Sequence, residues 1–210
     1  MNFQTASYAA QKASWPCEGR HILAHYDEET IVVYQAYKPS TRDYSVQHQQ
    51  LGGPEFSFNR MSWIKPNFLW MMYRCGWATK SDQEAVLGLR ISRRFFEAIL
   101  ESAVPSSFDV AQHETPAEWK GALEASQVRL QWDPDHAPSG APEARRAIQL
   151  GLRGESLRAF ATTELREVID FTDFVRAQAN NVSAPDNLLM PIERPYIPAS
   201  EAARRAVGLA

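Results

Sequence analysis

The residues best suited to chemistry fall in one run, Arg60-Met61-Ser62-Trp63-Ile64-Lys65-Pro66-Asn67-Phe68-Leu69-Trp70-Met71-Met72-Tyr73-Arg74-Cys75-Gly76-Trp77. It holds three of the chain's six tryptophans, interleaved with Arg60, Lys65 and Arg74. Flat aromatic faces at Trp63 and Tyr73 suit a base or a nicotinamide-like ring. Arginine and lysine suit phosphate oxygens, through charge and through forked N–H donors. Pro66 fits the first turn of a helix, whose N-terminal N–H groups would add donors for an anion. The competing reading is a core helix with cations reaching out at its ends. Apolar residues fill nearly every position from Phe68 to Met72, and aromatic stripes are more often core than site.

Two further groups carry candidates. Arg145, Gln149 and Arg153 recur every four residues in Glu143–Arg153, which reads as a helix. On one helix face they would form a comb able to grip phosphates, or else a solvated basic face. Asp133-Pro134-Asp135-His136 could hold a metal or act as acid and base, but these are also turn-forming residues, and no metal site is expected. Cys17 and Cys75 lack metal-type spacing and imply no disulfide framework.

The elements that must position these groups alternate unevenly. Arg20–Asp27 and Thr30–Tyr37 read as a strand pair, the second rich in β-branched and aromatic residues. Helices are expected over 41–50, from Pro66 to about Arg74 with a stop at Gly76, over Arg93–Ser102, around Ala117–Ala125, over Glu155–Ala161 and from Thr172 to about Asn180. Strands are expected at Ala85–Ile91, Val128–Trp132 and Leu165–Asp170, with a loop over Asp133–Pro142. Residues 1–19 read as a mobile arm, 20–181 as one domain, and 182–210 as a Pro- and Ala-rich tail that wraps or dangles. The expected fold class is α+β, with a small, mostly antiparallel sheet and flanking helices.

The pieces Tyr26-Asp27, Thr30–Tyr37, Arg60–Pro66, Phe68–Arg74, Gln131-Trp132-Asp133-Pro134 and Arg146–Gly154 resemble the bacterial and fungal family known as domain of unknown function 4291. The resemblance covers roughly residues 20–180, and it implies no catalytic assignment.

Composition narrows the function classes. The net charge is −3 and 22% of residues are charged, which argues against a general polyanion coat-binder while allowing a local basic pocket. No apolar run reaches membrane-spanning length and no signal-peptide core opens the chain, so a cytoplasmic protein with no membrane partner is expected. The signatures of Rossmann, P-loop and serine-hydrolase sites are missing.

The expectation is a nucleotide- or NAD-using transferase of ADP-ribosyltransferase-like fold, by analogy of fold alone. In that scheme Arg20 and Tyr34 on the first strands, Trp63 and Tyr73 as stacking rings, and Arg60, Lys65, Arg74, Arg145, Gln149 and Arg153 hold NAD or another phosphate-bearing molecule. Glu164, at the head of a late strand, stabilises the cationic sugar. The alternatives are an RNA- or nucleotide-binding module without catalysis and a structural or interaction protein. Oligomeric state is not specified by any of these features.

Overall fold

The computed structural model describes residues 3–110 and 113–209. In chain order its elements are β1 (Thr5–Ser7), α1 (Tyr8–Lys12), β2 (Gly19–Arg20), β3 (Ile22–Tyr26), β4 (Thr30–Tyr37), α2 (Pro39–His48), β5 (Ser62–Ile64), α3 (Phe68–Cys75), β6 (Ala85–Ser92) and α4 (Arg93–Glu101). They continue with β7 (Ala103–Pro105), α5 (Pro116–Ala125), β8 (Val128–His136), β9 (Pro142–Leu152), α6 (Gly154–Ala161), β10 (Leu165–Asp170), α7 (Thr172–Ala179), β11 (Leu189–Pro191), β12 (Arg194–Tyr196) and α8 (Glu201–Val207).

Two five-stranded sheets form the frame. The first, in order β10-β6-β4-β3-β12, is antiparallel throughout. The second, in order β2-β9-β8-β7, is mixed, and β5 joins it as an antiparallel partner of β9. This is an α+β architecture with mostly antiparallel pairing, as the spacing of elements predicts.

β4 shows how the sequence sets the layers. Ile31 and Val33 point into a core shared with Leu130, Ile148, Leu150 and Leu152 of the second sheet and with Phe96 of α4 and Phe160 of α6. Val32 and Tyr34 point to the opposite face, where Phe68, Met71 and Met72 of α3 and Val175 of α7 cover them. A strand buried on both faces has to be apolar nearly throughout, which is why Thr-Ile-Val-Val-Tyr reads as a run rather than an alternation.

Both chain ends are built into this frame: the segment before residue 20, expected as a mobile arm, is held in place, and of the two courses expected for 182–210, wrapping or dangling, the chain takes the first. β1 pairs with β11, and Tyr8 and Trp15 are buried. The Trp15 indole donates to the Glu193 carbonyl over 2.9 Å. β12 forms an edge of the first sheet, and Ala203 and Val207 of α8 enter the core. Met1, Asn2 and Ala210, the extremities of those two segments, lie outside the described residues.

The expected helix over Glu143–Arg153 is the strand β9, and the loop expected over Asp133–Pro142 is partly strand, since β8 runs on to His136. Ile148, Leu150 and Leu152 alternate with Ala147, Gln149 and Gly151, a period of two. A spacing of four keeps residues on one face of a strand as well as of a helix, so the Arg-Gln-Arg recurrence did not discriminate. Pairing with β8, β5 and β2 then overrode helix propensity.

Candidate functional site

β5 is the seam between the two sheets. Its residues 62–64 pair with β9, and the next residue, Lys65, crosses to the first sheet. There the Tyr34 N–H donates to the Lys65 carbonyl over 2.7 Å and the Lys65 N–H donates back over 3.3 Å. Pro66 holds Lys65 in the extended conformation this bridge needs. Asn67 then caps α3, its Oδ1 accepting from the Trp70 N–H at 2.6 Å, and Gly76 ends the helix at φ +58°.

A cleft of about 520 Å³ opens beside this seam, over the C-terminal end of β4. Its walls include Gln35 and Tyr37 of β4, Arg60 to Trp63 leading into and through β5, Lys65, and Met71 and Arg74 of α3. Lys38, Glu55 and Asp82 form part of its rim. The cleft is therefore rich in cations within a chain of net charge −3.

Those cations are in three different states. Lys38 is neutralised, its Nζ 3.0 Å from Glu55 Oε1 and 3.7 Å from Asp82 Oδ1. The Arg60 and Arg74 side chains are exposed and, among the described residues, have no hydrogen-bond or ion-pair partner. Lys65 is buried, at 6% exposure, and among the described residues its Nζ donates only to the Trp63 carbonyl, at 3.0 Å. The same carbonyl accepts from Gln35 Nε2 at 3.1 Å, which also donates to Ser62 Oγ at 2.7 Å. Tyr37 completes the chain by donating to Gln35 Oε1 at 2.6 Å, and burial pushes its hydroxyl pKa up. Burial, and then the nearby charge of Arg74, bring the Lys65 ammonium down to a pKa of about 7.

The other expected site residues are distributed elsewhere. Tyr34 is fully buried, edge-on to Phe68 and Phe171, and burial pushes its hydroxyl well up. Tyr73 lies on the outer side of α3, stacked on His136 at 3.6 Å between ring centres. Arg20 lines a separate cleft of about 290 Å³ with Ser106, Ser107 and Gln131. Gln149 donates to Gln131 and Asp133, both at 2.7 Å.

Arg145 is locked by Asp135, with Nε at 2.8 Å and Nη2 at 2.6 Å from one carboxylate oxygen, and it also donates to the Pro16 carbonyl. Arg153 donates to the carbonyls of Ser126 and Glu124, closing the C-terminal end of α5. Glu164 accepts from Ser92 Oγ at 3.0 Å. Ser92 pairs with Thr30, at the opposite end of β4 from Gln35, roughly 16 Å away at ~3.3 Å per residue.

The structure thus brings Arg60, Trp63, Lys65 and Arg74 to one cleft, and it sets Arg20, Tyr34, Tyr73, Arg145, Gln149, Arg153 and Glu164 apart from its lining. Gln35, Tyr37, Ser62 and Met71 line the same cleft. Gln35 and Tyr37 carried a signal, being two polar groups on one face at the end of the clearest strand. Ser62 and Met71 lay inside the aromatic run and differed in no way from its packing residues.

The scaffold is an α+β domain with a cationic cleft at the seam of its two five-stranded sheets. The profile of the family described as "Domain of unknown function (DUF4291)" matches residues 21–196, and the chain belongs to that family. No curated protein matches the chain significantly. No helix among the described residues is long and apolar enough to cross a membrane.

Proposed function

We propose that the cleft binds a small phosphate-bearing, nucleotide-like molecule, with Arg60 and Arg74 on the phosphates and Trp63 against the base. One observation carries this reading. Two guanidinium groups, one just before β5 and one on α3, lie on the same cleft with no acceptor among the described residues, while the cleft's acidic residues, Glu55 and Asp82, are engaged by Lys38. A planar guanidinium offers paired donors that match phosphate geometry. A pocket of this size takes a mononucleotide or part of a dinucleotide.

NAD is the first donor to test for a transferase reaction. Transfer of its ADP-ribose would require a carboxylate beside the departing nicotinamide, and Glu164 stands away from this cleft. The proposal therefore rests on the anion pocket and not on a late glutamate.

Calorimetric titration with ADP, NAD and pyrophosphate at low ionic strength tests it. Saturable one-to-one binding is expected, weakened at least tenfold by Arg60→Ala or Arg74→Ala and unchanged by Arg20→Ala, which alters the other cleft. No binding of any of the three, or equal weakening by Arg20→Ala, would remove the proposal. Binding of single-stranded oligonucleotides in preference to ADP would favour an RNA-binding module instead.

A further inference from the structure

Lys65 has a geometry that phosphate binding alone does not require. A lysine serving as a phosphate contact normally extends its ammonium into solvent or toward the anion. Lys65 instead has its side chain almost wholly enclosed, with Nζ turned back to the Trp63 carbonyl. No carboxylate stands within ion-pair distance of it among the described residues, and the charge closest in effect is the like charge of Arg74. A buried cation with no counter-ion and a cationic neighbour sheds its proton readily.

The resulting neutral amine donates one N–H to the Trp63 carbonyl. A neutral, desolvated lysine beside a second cation is the arrangement that activates an amine toward a carbonyl carbon. The carbonyl of Trp63, shared with Gln35 Nε2, fixes the amine in place, and Gln35 is itself held by Ser62 and Tyr37.

We propose that Lys65 is the reacting group of this cleft and that its substrates are aldehydes or ketones carrying a phosphate. This deepens the reading of the cleft as a phosphate-binding pocket and rests on it. The neutral Nζ adds to the carbonyl carbon, forming a C–N bond as the C=O π pair becomes a hydroxyl. The carbinolamine then loses that hydroxyl and the remaining nitrogen proton as water, leaving a C=N bond. No electrons are exchanged with an outside reagent. One proton taken up from solvent makes the iminium, whose positive charge draws electrons from the adjacent carbon. Arg60 and Arg74 would hold the substrate phosphate while the carbonyl reaches inward to Lys65.

Trapping experiments on the intact chain test the proposal. Pyridoxal 5′-phosphate and glyceraldehyde 3-phosphate are mixed with the protein at equimolar concentration, reduced with cyanoborohydride and mapped by peptide mass spectrometry. Reductive labelling at Lys65 is expected to exceed that at Lys12, Lys38, Lys80 and Lys120 at least tenfold. It is expected to rise with pH through about 7, following the free amine. Excess ADP is expected to suppress it, and Arg74→Ala is expected to lower it at least tenfold. Lys65→Met is expected to abolish it, and the wild-type map decides the matter even if that variant folds poorly. Labelling spread evenly over the lysines, with ADP still binding, would overturn the role of Lys65 and leave the anion pocket standing. Equal labelling by glyceraldehyde and its phosphate would overturn the substrate class. Lys65 labelling without any ADP binding or ADP protection would overturn the link to the phosphate pocket.

Discussion

Two regions of this molecule hold arginine and lysine side chains in opposite ways. On β9, Arg145 is enclosed and satisfied: Asp135 takes two of its donors, the Pro16 carbonyl a third, and the guanidinium lies over the Trp15 ring, 5.3 Å from its centre. In the cleft at the sheet seam, among the described residues, Arg60 and Arg74 have no such acceptors and Lys65 has only a main-chain carbonyl. The first arrangement fastens the N-terminal segment to β8 and β9. The second leaves donors that an incoming anion would satisfy. Composition does not distinguish them; the number of acceptors already within reach does.

The sharpest way to break this comparison is at the enclosed pair. Asp135→Ala leaves Arg145 buried without its counter-ion, and a loss of about 3–5 kcal/mol is expected from denaturant melts. Burial raises the Asp135 carboxyl, and Arg145 opposes that shift. A loss below about 1 kcal/mol would show that the N-terminal segment does not depend on this latch.

Next in size is the response of Lys65 to pH. Its folded pKa of about 7 lies below its ordinary value of 10.5, so the unfolded chain binds the extra proton between those limits. Stability therefore rises with pH from about 7 toward 10.5, and the cost of the buried charge is fully present below 7. Lys65→Met should remove this slope and gain on the order of 1–3 kcal/mol at pH 6. An unchanged slope would mean that the amine reaches solvent.

Arg74→Ala should move stability by less than about 0.5 kcal/mol while weakening ADP tenfold or more. The reverse pattern, a large loss of stability with ADP binding intact, would make Arg74 a structural residue. The smallest effect on the cleft is expected at Glu164→Gln, which alters one hydrogen bond to Ser92 far from it. Stability should change by about 1 kcal/mol or less, with no change in ADP affinity. A loss of affinity there would restore Glu164 to the site.

Much of the frame was legible in the sequence because local signals were strong. Thr30–Tyr37 and Leu165–Asp170 are strands, and α3 stops at Gly76, although it begins at Phe68 after the Asn67 cap and not at Pro66. Of the site, the aromatic run showed which segment lines the cleft, and Arg60, Trp63, Lys65 and Arg74 were within it. What was not legible came from distant pairing. Arg145 and Arg153 look as available as Arg74 until Asp135, Pro16 and the end of α5 are brought up to them. Glu193, in a stretch that read as tail, caps α3 by accepting from the Phe68 N–H at 2.7 Å, a contact spanning most of the chain.

The most direct test is a crystal structure of the protein soaked with ADP. The account predicts phosphate density between Arg60 and Arg74, with Arg145 still on Asp135. Density confined to the cleft beside Arg20, with Arg60 and Arg74 unmoved and solvated, would contradict it.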